Sequence, residues 1–115
     1  MAGHVLAVDL GAESGRVMRI HFDGERLTAD DIHRFPNNPV YAGDTLYWDA
    51  LRLWHEIQQG VAAGMDGALS VGVDAWGVDF ALLDGDGRLV SNPVHYRDAR
   101  THGLTEWVFE RVPRR

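Results

Sequence analysis

Apolar and polar positions along this chain follow two periods, and the places where the period changes mark out its elements. Val5 to Val8 is a short apolar run ending on Asp9, the pattern of a buried strand. After a glycine-containing turn, Met18, Ile20 and Phe22 alternate at period two and predict a second strand from Arg16 to Phe22. Asp23-Gly24 predicts a hairpin turn, followed by a more polar third strand from Leu27 to Phe35. Prolines, asparagines and a glycine make Pro36 to Asp44 a loop. The spacing then becomes helical. Ala50, Trp54, Ile57 and Val61 recur with Leu53 alongside, Asp49 is a fair N-cap, and Gly64 a sensible stop. Gly60 weakens that pattern in its last turn.

Period two returns at Leu69 to Val73, again ending on an acid, Asp74. Val78, Phe80 and Leu82 alternate as another strand, and Asp84-Gly85-Asp86-Gly87 turns the chain into a short strand at Arg88 to Val90. Leu104, Val108 and Val112 share one stripe of a closing helix from Thr101 to Val112. The expected order is β-β-β-α-β-β-β-α, an α/β protein with two acids at the ends of buried strands.

Composition narrows the class. The 115 residues suit one domain at the small end of the usual range, and an apolar content of 45% is enough for a core. Eleven basic against 17 acidic residues give a formal charge of -6, which argues against a nucleic-acid partner. Without cysteines there is neither a disulfide nor a thiolate metal site. The start "MAGHVLAVDLG" lacks the pattern of a signal peptide, and no apolar run approaches the roughly 20 residues that span a bilayer. The expectation is a soluble, cytoplasmic protein with no membrane partner.

Three stretches carry candidate chemistry. "VDLGAESGR", Val8 to Arg16, fits neither a P-loop, for want of a lysine, nor a dinucleotide fingerprint, since a strand follows it. Glu13 occupies the serine position of a hydrolase elbow, which removes that reading too. What remains is strand, Asp9, Gly11, a turn bearing Ser14, then Gly15, Arg16 and a second strand. Gly11 and Gly15 permit positive φ and close approach to phosphate oxygens. Turn N–H groups can face an anion, Ser14 can donate, Arg16 adds charge, and Asp9 can hold a hydrated Mg²⁺. An ordinary hairpin with a solvated Arg16 and Asp9 explains the residues as well, and both readings stand at this point.

In "VGVDAWGVDF", Trp76 suits the apolar face of a sugar and Gly77 lets backbone approach a ligand; a core tryptophan at a kink is the alternative. Asp79 is expected to face solvent or line a site. "HYRDAR", His95 to Arg100, suits either a site rim or a solvated charged loop. The six histidines are scattered, His55-Glu56 lacks the second histidine of a zinc protease helix, and the 84–87 turn lacks an EF-hand pattern. The tryptophans at 48, 54, 76 and 107 are core candidates for the most part.

Taken together, "AVDLGAESGRVM", "IHRFPN", "WDALRLWHEI", "SVGVDAWGVDFALLD" and "NPVHYRDART" have the order and spacing seen in the rhamnulokinase branch of the FGGY carbohydrate kinases, and the chain resembles that family to about Gly103. The resemblance implies a ribonuclease H-like, actin-like ATPase fold, of which residues 1–115 would be an incomplete first domain without the carboxy-terminal kinase domain. It implies ATP and Mg²⁺ as cofactors and phosphorylation of a ketose, L-rhamnulose, at its 1-hydroxyl in rhamnose catabolism. By the same resemblance Ala12, Glu13, Ser14, Gly15 and Arg16 face the ATP phosphates, Asp9 lies near the metal, and Gly77 with Trp76 contacts the sugar. The catalytic base is expected beyond residue 115, so the chain is expected to be inactive alone and to need the missing carboxy-terminal half. A non-catalytic sugar- or partner-binding remnant and a truncated fragment are the alternatives. Two residues depart from the family pattern: Glu13 stands where a small polar residue is the simplest phosphate neighbour, and Ala75 where a threonine is expected. Without later strands and helices, bare strand edges and part-covered apolar stripes predict aggregation.

Overall fold

The computed structural model describes residues 3–114. In chain order the elements are β1 (His4–Leu10), β2 (Ser14–Phe22), β3 (Leu27–Pro36), β4 (Val40–Ala42), β5 (Thr45–Tyr47), α1 (Ala50–Gly64), β6 (Ala68–Asp74), a 3₁₀ turn (Ala99–Thr101) and α2 (Leu104–Phe109). They fall into two units. The first comprises the chain to Asn38 and Asp49–Val78; the second comprises Pro39–Trp48 and the chain from Asp79 onward.

The first unit is a four-stranded sheet in the order β3-β2-β1-β6, with α1 on one face. β1, β2 and β3 form an antiparallel meander, whereas β6 runs parallel to β1. A parallel neighbour needs a crossover, and α1 supplies it. Register sets the buried face: Val8 pairs with Val17, Val17 with His33, and Gly15 with Phe35. Leu6, Val8, Val17 and Phe35 on this face are buried. The register slips between His4 and Val5, which pair with Ala68 and Ser70 and leave Leu69 out of the ladder.

Asp49 caps α1 as expected, its carboxylate accepting from the Arg52 N–H at 3.2 Å. The helix does not dock through its apolar stripe, however. Its buried positions are Leu53, Glu56, Gly60 and Gly64, while Trp54 is mostly exposed. A Cβ on Gly60 would sit 2.4 Å from Val17 Cγ2, and one on Gly64 2.5 Å from Ile32 Cδ1. The two glycines, one turn apart, bring the helix backbone onto the sheet. Gly60, which weakens the pattern in sequence, is thus a contact point in the fold.

The second unit is irregular. β4 falls within the stretch expected to be loop, Pro36 to Asp44, and forms a hairpin with β5 just beyond it. Leu46 N–H donates to Asp98 Oδ2 at 2.7 Å, His95 N–H to the Leu46 carbonyl at 2.9 Å, and Trp48 N–H to the Pro93 carbonyl at 2.9 Å. Asp79 accepts from both Trp48 Nε1 and the Tyr96 N–H. The Trp48 and His95 rings stack 3.9 Å apart, and His95 stacks on Tyr96 at 4.6 Å.

The strands expected at Val78 to Leu82 and Arg88 to Val90 do not form. A turn closed by Asp84 is present, with an isolated bridge between Leu83 and Leu89. A two-stranded ribbon with no third strand or cover holds few ladder bonds; Phe80 and Leu82 are exposed. The closing helix is also shorter than expected. It breaks into the 3₁₀ turn and α2 at Gly103, whose φ of 76° is left-handed. Leu104, Val108 and Val112 are all exposed. Among the described residues no helix is long and apolar enough to cross a membrane.

Candidate functional site

The turn after β1 is tight. Gly11 N–H donates to the Ser14 carbonyl at 2.9 Å, so the chain reverses within Gly11-Ala12-Glu13-Ser14. Leu10 pairs with Gly15 and Asp9 with Arg16 below it. Among the described residues neither the Ala12 nor the Glu13 N–H has a hydrogen-bond partner, and Ser14 is exposed. These are the features an anion-binding turn needs. Arg16 Nε donates to Asp9 Oδ2 at 3.0 Å, with both side chains more than a third exposed. That bond holds the guanidinium over the strand end, where it remains accessible to a ligand.

The positive φ expected of the two glycines is not found. Neither Gly11 nor Gly15 has a positive φ. Gly15 is needed for space: a Cβ there would fall 2.3 Å from Phe35 Cε2, because the Phe35 ring packs against the backbone at this position. Next to Phe35, and missed as a functional position in the sequence, is Asn37. It is buried, donates through Nδ2 to the Gly11 carbonyl at 2.8 Å, and donates through its N–H to the Glu13 carbonyl at 2.9 Å. Asn37 thereby fixes the turn's carbonyls inward. The signal available in sequence was its place in "IHRFPN", directly after a strand-ending proline.

Asp9 and Asp74 are neighbours in the parallel register, on strands about 4.8 Å apart. A concavity of about 450 Å³ lies against them, lined by Ala7, Val8, Asp9, Met18, Gly72, Val73 and Asp74. Because β1 and β6 are parallel, the residues that follow each lie at one end of the sheet. The Gly11–Ser14 turn follows β1; Trp76 and Gly77 follow β6. In open α/β sheets ligands bind outside the carboxyl ends of strands. The structure therefore brings the turn, Asp9, Trp76 and Gly77 to one sheet end. Trp76 is half-buried, and a Cβ on Gly77 would meet nothing within 4 Å.

Two carboxylates suit a hydrated Mg²⁺, which keeps several waters and takes one or two carboxylates plus substrate phosphates. Among the described residues no group of three or more His, Asp or Glu side chains is placed to hold an ion by itself. The donor set thus fits a cation that arrives with a phosphate ligand and does not fit a resident structural metal.

Two other ionic clusters belong to the fold. Glu56 is buried and accepts from His33 Nε2 and Arg52 Nη2, each at 2.6 Å. The His33 hydrogen bond, opposed by burial and helped by the Arg52 charge, holds its carboxyl below the ordinary value. In the second unit the Leu46 and Arg100 N–H groups hold the Asp98 carboxyl low. Burial pushes His95 down, against the pull of the Asp79 carboxylate. "HYRDAR" is only in part a solvated charged loop: Arg97 and Arg100 are exposed, whereas His95 and Asp98 form the interior of their unit.

Comparison with known proteins agrees with this picture. No family model matches the chain. It is 42% identical over 117 residues to a rhamnulokinase of Bacteroides thetaiotaomicron, covering 99% of this chain and 24% of that one. A rhamnulokinase of Oceanobacillus iheyensis is 38% identical over 110 residues, covering 93% of this chain and 23% of the relative. Among solved structures, the gluconate kinase of Lactobacillus acidophilus superposes with a TM-score of 0.66 at 11% identity, covering 96% of this chain and 25% of that one. The xylulose kinase of Rhodospirillum rubrum also gives 0.66, at 15% identity, covering 96% and 24%. The chain thus has the sugar-kinase, actin-like ATPase fold and is similar, over nearly all its length, to the amino-terminal part of rhamnulokinases. It spans about a quarter of the length of those relatives.

Proposed function

We propose that this chain is the amino-terminal part of an ATP-dependent carbohydrate kinase that phosphorylates L-rhamnulose at its 1-hydroxyl. The observation that carries the reading is 42% identity to a rhamnulokinase across 99% of the chain. The sheet-end geometry is consistent with it. Phosphoryl transfer is chiefly positioning and charge stabilisation. In this reading the turn from Ala12 to Arg16 binds ATP phosphates through N–H groups, the Ser14 hydroxyl and the Arg16 guanidinium. Asp9 holds Mg²⁺ through water, and Gly77 with Trp76 forms part of the sugar contact. The ketose oxygen attacks the γ-phosphorus, the bond to the ADP oxygen breaks, and the hydroxyl proton passes to a base that we assign to none of residues 1–115. A cytoplasmic location goes with ATP as donor and with a chain free of cysteine.

The residues 1–115 by themselves are proposed to be inactive, the carboxy-terminal part of the kinase supplying the base and the rest of the nucleotide site. Joining them to the remaining residues of the Bacteroides thetaiotaomicron rhamnulokinase and assaying ADP release tests this. The joined protein is expected to turn over L-rhamnulose, and the 115-residue chain to give none. A folded joined protein that phosphorylates no ketose, or turnover by the short chain at an ordinary enzyme rate, would refute it.

A further inference from the structure

Asn37 follows β3 directly and is 2% exposed. Its amide leaves Oδ1 buried with no hydrogen-bond partner. A buried acceptor without a donor costs stability, so packing does not account for an asparagine here. The bond made by the other end of the amide does. Nδ2 donates to the Gly11 carbonyl at 2.8 Å. The flipped amide would set oxygen against oxygen, so the carbonyl fixes its orientation. A hydrogen-bonded pair across a hairpin exchanges two bonds. Gly11 and Ser14 make one among the described residues, from the Gly11 N–H to the Ser14 carbonyl at 2.9 Å. The Gly11 carbonyl turns to Asn37 instead.

We propose that Asn37 is a positioning residue for nucleotide binding: its side chain holds the Gly11 carbonyl so that the Ala12 N–H is aimed at a phosphate. The proposal rests on the reading of Ala12 to Arg16 as the ATP turn. Its geometry comes from the peptide plane. In a trans peptide the carbonyl and the N–H of one unit point in opposite directions, and among the described residues no peptide bond is cis. The Gly11 carbonyl shares its unit with the Ala12 N–H, and the Glu13 carbonyl with the Ser14 N–H. Asn37 holds the first carbonyl through its side chain and the second through its own N–H, at 2.9 Å. Both turn N–H groups therefore point away from Asn37. Asn37 is buried, whereas Gly11, Glu13 and Ser14 are exposed, so that direction is toward solvent. Donors set on one side before a ligand arrives are suited to phosphate charge, because nothing has to reorganise when it binds. The two halves of the clamp differ in kind. The Glu13 half is a backbone bond and outlasts a change of side chain. The Gly11 half belongs to the Asn37 amide alone, so substitution frees the Ala12 unit and leaves the Ser14 unit held.

Calorimetry on the protein joined to the remaining residues of the Bacteroides thetaiotaomicron rhamnulokinase tests this, with Mg²⁺-ATP and L-rhamnulose as separate probes and circular dichroism as the check on folding. Asn37→Leu has a similar size and no donor. It is expected to bind Mg²⁺-ATP about tenfold more weakly, the worth of one hydrogen bond to a charged group, and to bind L-rhamnulose as the parent does. Asn37→Asp, which keeps the shape of the side chain, carries the test if Asn37→Leu does not fold. Its carboxylate cannot donate to the Gly11 carbonyl, but its protonated form can. Affinity for Mg²⁺-ATP, taken as a ratio to the parent at the same pH, should therefore be low at about pH 8 and recover toward one at about pH 5, since burial against a carbonyl raises a carboxyl pKa. A residue that only stabilised the hairpin would show no such recovery. A folded Asn37→Leu with the parent's ATP affinity, equal weakening toward ATP and L-rhamnulose, or an Asn37→Asp ratio that is the same at both pH values would each overturn the proposal and leave the phosphate reading standing. A folded parent that binds no ATP would overturn that reading, and the proposal with it.

Discussion

The two units of this chain are held by different forces. In the first, the core is chiefly apolar and periodic: Leu6, Val8 and Val17 are at most 1% exposed, and the buried polar groups Asn37 and Glu56 lie at its margins of turn and helix. In the second, the buried groups are Leu46 and Trp48 together with His95 and Asp98, and the contacts that organise them are hydrogen bonds between residues far apart in sequence. The first unit derives its stability from burial, a non-directional effect proportional to apolar area. The second depends on a few directional bonds whose loss leaves buried polar groups unpaired. Conservative change should therefore be tolerated better in the first unit than in the second, and polar change the reverse.

Trp48→Ala makes the largest break. Trp48 is 1% exposed, stacks on His95 and donates to Asp79. Removing a buried tryptophan costs about 3–5 kcal/mol, and here it also takes a donor from Asp79. Amide exchange should show Leu46, His95 and Asp98 losing protection. Retained protection there would mean that the stack is not what holds the second unit. Leu6→Ala is the counterpart in the first unit, at about 2–5 kcal/mol, read from the amides of β1 and β2.

Gly60→Ala comes next and sharpens the first unit's side of the comparison. Alanine raises helix propensity by about 1 kcal/mol. Its Cβ would lie 2.4 Å from Val17 Cγ2 and 2.7 Å from Val17 Cβ, a branched side chain with little room to move. Overpacking of this kind costs about 1–3 kcal/mol, so urea denaturation should report net destabilisation. A stabilised variant would show that α1 can lift from the sheet at no cost.

Acidification separates the units by pH. His95 is depressed in the folded state, so its contribution is complete above the ordinary value of 6.5 and lost as pH falls below it. Glu56 is depressed as well, so its contribution is complete above 4.5 and lost below. Asp98 follows the same sign below 3.8. Melting temperature should therefore begin to fall below pH 6.5 on account of the second unit, and fall further below 4.5. His95→Phe, which keeps a stacking ring, should remove the early loss and leave the later one.

The same contrast decides what could be read from the sequence. β1, β2, β3 and α1 were legible as elements because periods of two and 3.6 mark strand and helix; β6 was legible as a strand too, but the burial expected of it does not hold, since Leu69 to Asp74 are exposed. The site end of the sheet was legible for a related reason: each acid closes an apolar run, so Asp9 and Asp74 had to fall at strand ends. β5 was not, since besides β4 its partners are Val94, His95 and Asp98, some 50 residues on, and no local pattern announces a pairing at that range. Asp98 and His95 read as surface charge because ionisable residues usually are. The docking face of α1 misled for the opposite reason. Periodicity pointed to Trp54, Ile57 and Val61, but close approach of the backbone at Gly60 and Gly64 put the helix down on its small residues and turned the apolar stripe toward the open groove beside β6.

Arg16→Ala is the smallest change to the fold, and it tests whether the turn is part of a site or merely a hairpin. Arg16 and Asp9 form an ion pair in which the side chains are 38% and 40% exposed. Exposed pairs of this kind contribute about 0–1 kcal/mol, so denaturation of the variant should differ from the parent by no more than that. Its effect on nucleotide should be far larger. In the protein joined to the remaining residues of a rhamnulokinase, removing the guanidinium proposed to face phosphate should weaken ATP binding by tenfold or more, since a hydrogen bond to a charged group is worth about 1.5–3 kcal/mol. Calorimetry with ATP and Mg²⁺ measures it. Equal ATP affinity in parent and variant would return Arg16 to the sheet as a strand-end ion pair. Lost stability with unchanged affinity would show that the turn owes its shape to that pair, and that Asn37 beneath it does less than the geometry implies.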